Sequence, residues 1–163
     1  MDDAMKPPPI KLRSYEPSDA LALLELFRDT VHRINCRDYT SEQIAAWAPD
    51  DLSTDPWAER FEGKITYVAQ RGYTIVGFAD MMTSGYLDRL FVSADCQRQG
   101  VARRLLRAIL HSAADLQLTE VTTEASITAK PFFLAQSFVV VQKQTVVCRG
   151  KEFTNYLMRY VLS

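Results

Sequence analysis

Residues 87–116 read LDRLFVSADCQRQGVARRLLRAILHSAADL, and this stretch decides the fold. Its first six residues are a short run rich in strand formers. Its second half is a helix: Val101, Leu105, Leu106, Ile109, Leu110 and Ala113 recur at helical spacing and form one apolar stripe. Arg103, Arg104, Arg107, His111 and Asp115 fall mostly on the other faces. A polar loop joins the two, with Gly100 at the mouth of the helix. A strand, a polar loop and a helix N-terminus together make an anion site. The first N–H groups of a helix lack internal partners, and the helix dipole adds partial positive charge there. A glycine at that point lets a ligand approach the backbone closely, because it has no Cβ.

Composition narrows the possibilities. The chain has 163 residues, enough for one domain with a full core, and 47% of them are hydrophobic. A net charge of −1 leaves no electrostatic footprint for nucleic acid. No apolar run is long enough to span a membrane, and no secretory signal is apparent. Cys36, Cys96 and Cys148 are an odd count at wide spacing, which fits a reducing, cytoplasmic setting and gives no metal pattern. Residues 1–9 read as a flexible, proline-rich leader and 10–163 as a single domain.

Working outward, residues 10–15 alternate as a first strand. Pro17-Ser18-Asp19 starts a helix, with Ser18 or Asp19 as its cap and Leu21, Leu24, Leu26, Phe27, Val31 and Ile34 on its buried side. Thr40-Ser41-Glu42-Gln43 is a capping box for a second helix ending before Pro49, and Asp55-Pro56-Trp57 starts a short helical turn. Strands are expected over 65–70 and 74–82, turning at Arg71-Gly72, and over 86–92. After the long helix come a strand over 119–125, a short helix over 129–136, and strands over 138–148 and 152–161 around Arg149-Gly150.

The dinucleotide fingerprint G-x-G-x-x-G and the P-loop are both absent. What stands in the loop is Gln97-Arg98-Gln99-Gly100-Val101-Ala102. It resembles the pyrophosphate loop Q/R-x-x-G-x-G/A of the GNAT N-acetyltransferase superfamily, followed by Arg103. Downstream, Ser126 to Phe138 resembles that family's later helix motif, N-x-x-A-x-x-F-Y-x-x-x-G-F. Val31-His32, Asp38-Tyr39-Thr40, Gln43 and Ala46-Trp47-Ala48-Pro49 are similar to a bacterial branch, the YafP-like proteins.

The resemblance implies an α/β fold of mixed α+β character, the GNAT acyl-CoA N-acyltransferase fold. Its order is β-α-α-β-β-β-α-β-α-β-β, with a bent mixed sheet carrying helices on both faces. The sheet would splay between its fourth and fifth strands to admit the pantetheine arm. The implied co-substrate is acetyl-CoA, with no metal. The implied partner is an amine acceptor, more in keeping with a small molecule than a protein; nucleic acid and membrane are not expected, and a homodimer is left open. Gln97 to Arg103 would hold the pyrophosphate. Ser126, Lys130 and Phe133 would also meet the cofactor, with Lys130 or Arg104 at the outer phosphate.

N-acetyl transfer needs a neutral amine, a polarised thioester carbonyl and a tolerable leaving group. The family places its carbonyl donor on backbone N–H of the fourth strand, which is Val92 or its neighbour Phe91 here. Base candidates are Asp88 and Glu124, and strand alternation puts Tyr86, Asp88, Leu90 and Val92 on one face. His32 has a suitable unperturbed pKa and is a further candidate for catalysis or substrate binding. The tyrosine of the family's F-Y pair is Phe133 here. Either the thiolate leaves without direct protonation, or another hydroxyl serves, with Tyr156 the candidate. The family's asparagine is Ser126, and its closing glycine is Ser137, an uncomfortable residue for a left-handed position. Tyr39, Trp47 and Tyr86 are expected to line the acceptor pocket, whereas Trp57 reads as core. The expected function is direct transfer of acetyl from acetyl-CoA to a primary amine. The rival is a non-catalytic CoA-binding or sensing domain on the same fold.

Overall fold

The computed structural model describes residues 6–163, so the leader's first five residues lie outside the described residues; residues 6–9 are exposed and irregular. The strands are β1 (Ile10–Ser14), β2 (Lys64–Arg71), β3 (Thr74–Met82), β4 (Tyr86–Val92), β5 (Glu120–Ser126), β6 (Val139–Cys148) and β7 (Lys151–Val161). The helices are α1 (Ala20–Arg33), α2 (Ser41–Trp47), α3 (Thr54–Glu59), α4 (Val101–Asp115) and α5 (Lys130–Ala135). The strands form one seven-stranded sheet in the order β1-β2-β3-β4-β5-β7-β6. Every pairing is antiparallel except β4 with β5. That one parallel pair is joined through α4, as a parallel connection requires.

Two apolar cores flank the sheet. Val101, Leu105, Leu106, Ile109 and Ala113 of α4 pack with Ala79, Met81, Leu87, Val121 and Met158 on one side. Leu23, Leu24, Phe27 and Val31 of α1 pack with Trp57, Phe61, Val68 and Phe78 on the other. Leu21 was expected in that core but is 53% exposed, and Leu23 takes its place. The stripe follows residues 20, 23, 24, 27 and 31, and Leu21 lies roughly a quarter-turn off it.

Local signals are realised with small shifts. The Thr40 hydroxyl accepts from the Gln43 N–H at 3.2 Å, and the Gln43 side chain accepts from the Thr40 N–H at 2.8 Å. At α1 Asp19, one of the two expected caps, is the N-cap residue, but its side chain makes no cap hydrogen bond to the helix. A 3-10 turn, Pro17–Asp19, precedes the helix, and Asp19 reaches back to the Glu16 N–H while pairing with Arg13 of β1 at 2.8 Å. The β2–β3 turn is Gly72-Tyr73 rather than Arg71-Gly72, because Arg71 pairs with Thr74. Helices α4 and α5 both close on Schellman turns with a left-handed non-glycine residue, Gln117 (φ 60°) and Ser137 (φ 70°). The Ser137 value matches the discomfort read from its sequence.

Candidate active site

Pairing between β4 and β5 consists of Tyr86 with Thr122 and Leu87 with Thr123. Above those residues the strands part. The Ser93 N–H donates to the Val76 carbonyl of β3 at 2.8 Å, so by alternation Phe91 also turns its backbone to β3 and Val92 turns its own to the gap. The Val92 carbonyl is taken by the Thr30 hydroxyl (3.1 Å) and the Gln97 side-chain amide (2.8 Å). Of the two sequence candidates, Val92 rather than Phe91 therefore presents its N–H to the opening. The Phe91 ring packs edge-on against Phe27 and tilted against Phe78.

The opening is part of a cleft of about 1170 Å³. At one end it meets the loop before α4. Gly100 is the N-cap residue, at φ 80° and ψ 7°, and a Cβ built on it would find no atom within 4 Å. The loop thus leaves a space that any side chain at this position would enter. Gln97, Arg98, Gly100, Val101, Ala102 and Arg103 line the cleft here. Gln99 is turned aside and accepts from Arg71 at 2.8 Å. Arg104 is also withdrawn, donating to the Ile10 carbonyl. The Ser126 hydroxyl accepts from the Ala129 N–H at 3.0 Å, shaping the turn into α5. Phe133 is buried and packs against Phe138 in the α4-side core while edging the cleft. Lys130 sits 4.1 Å over the Tyr156 ring rather than in the cleft lining.

The other end of the cleft has aromatic walls. Tyr39, Trp47 and Phe153 meet one another at centroid distances of 5.6–6.1 Å. The Tyr39 hydroxyl donates to the Thr154 carbonyl (2.8 Å) and accepts from the Ile127 N–H (2.9 Å), tying the segment before α2 to β7 and the β5–α5 turn. Burial pushes that phenol's pKa up, and Asp38 adds to the rise.

The carboxylates are arranged differently from the alternation argument. Asp80 pairs with Arg89 while Met81 pairs with Leu87, so Asp88 is the extra residue of a β-bulge. Leu90 and Val92 pack on the α4 side, as alternation requires, but Asp88 does not share their face. It reaches Lys64 at 2.6 Å and Arg60 at 3.8 Å. Beside it Asp80 and Arg89 form a fully buried ion pair, with the Arg89 guanidinium 4.6 Å over Trp57 and 4.3 Å over Phe61. Glu124 is exposed to the cleft and forms no ion pair among the described residues. Tyr86 lies half-buried beside it; burial first, then the Glu124 and Asp88 charges, hold its phenol well above the usual range.

Two of the catalytic candidates also fall outside the cleft lining. His32 is exposed, and its Nε2 donates to the Ala48 carbonyl at 2.8 Å, linking α1 to the end of α2 in a separate shallow pocket. A histidine pattern on a helix face does not say which neighbour the ring meets. Tyr156 points from β7 to the α4 side, against Lys130, because it alternates with Phe153 and Asn155 on the cleft face. Trp57 is core, as expected, though its edge reaches the cleft. Arg89, Asp80 and Arg60 were not singled out from the sequence. An arginine inside an apolar strand was the available signal, since a buried charge needs a partner. Among the described residues no His, Cys, Asp and Glu group is placed to hold a metal ion, and no helix is long and apolar enough to cross a membrane.

A seven-stranded mixed sheet that opens between β4 and β5, with a glycine-capped helix at the mouth, agrees with the acyltransferase fold expected from the sequence. Residues 35–160 match the family model described as an acetyltransferase (GNAT) domain, and the chain belongs to that family. Within the family it is similar to the uncharacterized N-acetyltransferase YafP of Escherichia coli K12, at 39% identity over 93% of this chain and 95% of that protein. It is also similar to the crystal structure of a GCN5-related N-acetyltransferase from Rhodopseudomonas palustris. There the TM-score is 0.91 and the identity 29%, over 97% of this chain and 99% of the other. The structure of yncA from Salmonella typhimurium, with its cofactor acetyl-CoA, shares the fold at TM-score 0.72 and 18% identity, over 94% of each chain.

Proposed function

We propose that this acyltransferase moves acetyl from acetyl-CoA to a primary amine, by direct attack with both substrates bound. The observation that carries the reading is the end of β4–β5 pairing at Leu87 and Thr123, which turns the Val92 N–H into an open cleft whose mouth is the N-terminus of α4. The fit of the loop rests on the empty space at Gly100. Its backbone N–H groups, with Arg98 and Arg103, hold a pyrophosphate there. The yncA relative is a structure with acetyl-CoA on the same fold, which supports the choice of donor. When bound, acetyl-CoA supplies the activated thioester.

The chain's own residues supply the rest. Val92 N–H stabilises the carbonyl oxygen as charge develops on it. Glu124 takes the proton from the incoming ammonium, directly or through one water. The amine nitrogen then bonds to the acetyl carbon, the C–S bond breaks with its electron pair leaving on sulfur, and the nitrogen sheds its second proton to water. With Phe133 in place of tyrosine and Tyr156 turned away, no side chain is assigned to protonate that sulfur, and the thiolate leaves as such. Asp88, the other base candidate, is already paired with Lys64 at 2.6 Å, whereas Glu124 faces the cleft with no ion pair among the described residues, so Glu124 is preferred. Tyr39, Trp47 and Tyr86 shape the acceptor side. Initial-rate kinetics test the order: intersecting double-reciprocal lines are expected. Parallel lines, with an acetyl group left on the protein, would replace direct transfer by a covalent route.

A further inference from the structure

The acceptor side of the cleft gathers guanidinium groups from separate elements. Arg37 closes the turn after α1, Arg60 follows α3, and Arg149 sits in the β6–β7 turn; all three line the cleft. Two nearby cations are already matched, Arg89 by Asp80 and Lys64 by Asp88. Arg60 has only the long 3.8 Å contact to Asp88, a carboxylate that Lys64 holds more closely. Arg149 bonds through Nη1 to the backbone carbonyls of Ala46 and Trp47, which leaves its charge unmatched. Neither Arg37 nor Arg149 forms an ion pair among the described residues. Burial, with added repulsion from Arg89 and Arg149, pushes the Arg60 pKa below its ordinary value. Like charges held together in a partly desolvated cleft are stabilised when an anion binds among them, and a planar fork suits a carboxylate.

Opposite charge waits elsewhere in the same cleft. Glu124 on β5 stands without an ion pair where β4 and β5 part, and Asp51 lies exposed at the rim. Trp47 and Phe153 offer the same cleft an apolar wall. We infer that the acceptor is an amino acid with an apolar side chain, its amine beside Glu124, its carboxylate on Arg60 with Arg149 behind, and its side chain against Trp47 and Phe153. This rests on the acetyl-transfer reading above and names its substrate class. Polycationic amines, which carry nothing to meet Arg60 and Arg149, are poor substrates.

The test uses the wild-type chain at saturating acetyl-CoA and reads thiol release. Apolar L-amino acids are compared with their primary amides, with the corresponding amines lacking the carboxyl group, and with spermidine. The free acids should be favoured in kcat/KM by roughly 10–100-fold, the usual worth of a hydrogen-bonded charge. Arg60→Gln should erase most of that preference by raising the KM of the acid, with the acetyl-CoA KM unchanged. Equal or better turnover of the amides, the carboxyl-free amines or spermidine overturns the inference and leaves acetyl transfer standing. No turnover of any amine, while CoA still raises the melting temperature, overturns both. The wild-type series decides the matter even if Arg60→Gln fails to fold.

Discussion

Replacing Gly100 with alanine should act twice, and the two effects can be read separately. The first is on folding. Gly100 holds φ 80°, a left-handed conformation that costs an L-residue about 1–2 kcal/mol. Nothing within 4 Å would clash with the new methyl group, so backbone strain is the whole structural cost. Unfolding in urea should therefore lose about 1–2 kcal/mol with an unchanged slope, and Tm should fall by roughly 2–8 °C. The second effect is on binding. The strain is common to free and bound protein, so it cancels in the affinity. What does not cancel is the methyl group standing in the space assigned to the pyrophosphate. Calorimetric titration with CoA should show Kd weakened at least tenfold, about 1.4 kcal/mol, and Gly100→Val should be worse. A variant that melts lower as expected yet keeps Kd within about twofold would refute the placement of the anion at this loop.

Glu124→Gln should lower kcat/KM by roughly 10²–10⁴-fold, less at high pH where more amine arrives neutral, with CoA affinity nearly unchanged. Asp88→Asn should cost less activity but more stability, because Lys64 loses its close partner; the reverse ranking in rate assays would return the base role to Asp88. Gln117→Gly and Ser137→Gly should each raise stability by about 0.5–1 kcal/mol, since both residues sit in left-handed positions that close a helix. A fall in Tm for both would contradict the assigned helix ends. The Arg13 guanidinium holds the Asp19 carboxyl below its usual range. The folded pKa is thus lower than the unfolded one, so this stabilisation is present above about pH 4 and is lost as pH falls through the folded value. Asp19→Asn should flatten the acid limb of the stability profile, and an unaltered limb would show that the pair is not felt.

The fold was legible because its deciding signals are local. The loop 97–102 and the α4 stripe lie within one continuous stretch, and the Thr40–Gln43 box is formed as written. Backbone geometry was legible in part: Gly100 caps α4 in a left-handed conformation, and β4 leaves β5 before Val92. Less legible was which way a side chain turns. A single bulge at Asp88 shifts the face of one half of β4, and no periodicity in LDRLFV announces it. His32 and Tyr156 were plausible by chemistry but are held elsewhere by the Ala48 carbonyl and Lys130. Arg37, Arg60 and Arg149 come from segments far apart in the chain, so only the closed fold brings them to one cleft.

Transfer of acetyl from acetyl-CoA to an amine in the cleft between β4 and β5 is the reaction proposed for this protein. Its most direct measurement is acetyl-CoA cleavage by purified protein with and without an apolar amino acid, with mass analysis of the amine. Thiol release should depend on the amine, with one acetyl group recovered on its nitrogen for each thiol freed. Thiol release at the same rate without amine, or tight CoA binding with no acetylated product from any amine, would contradict it.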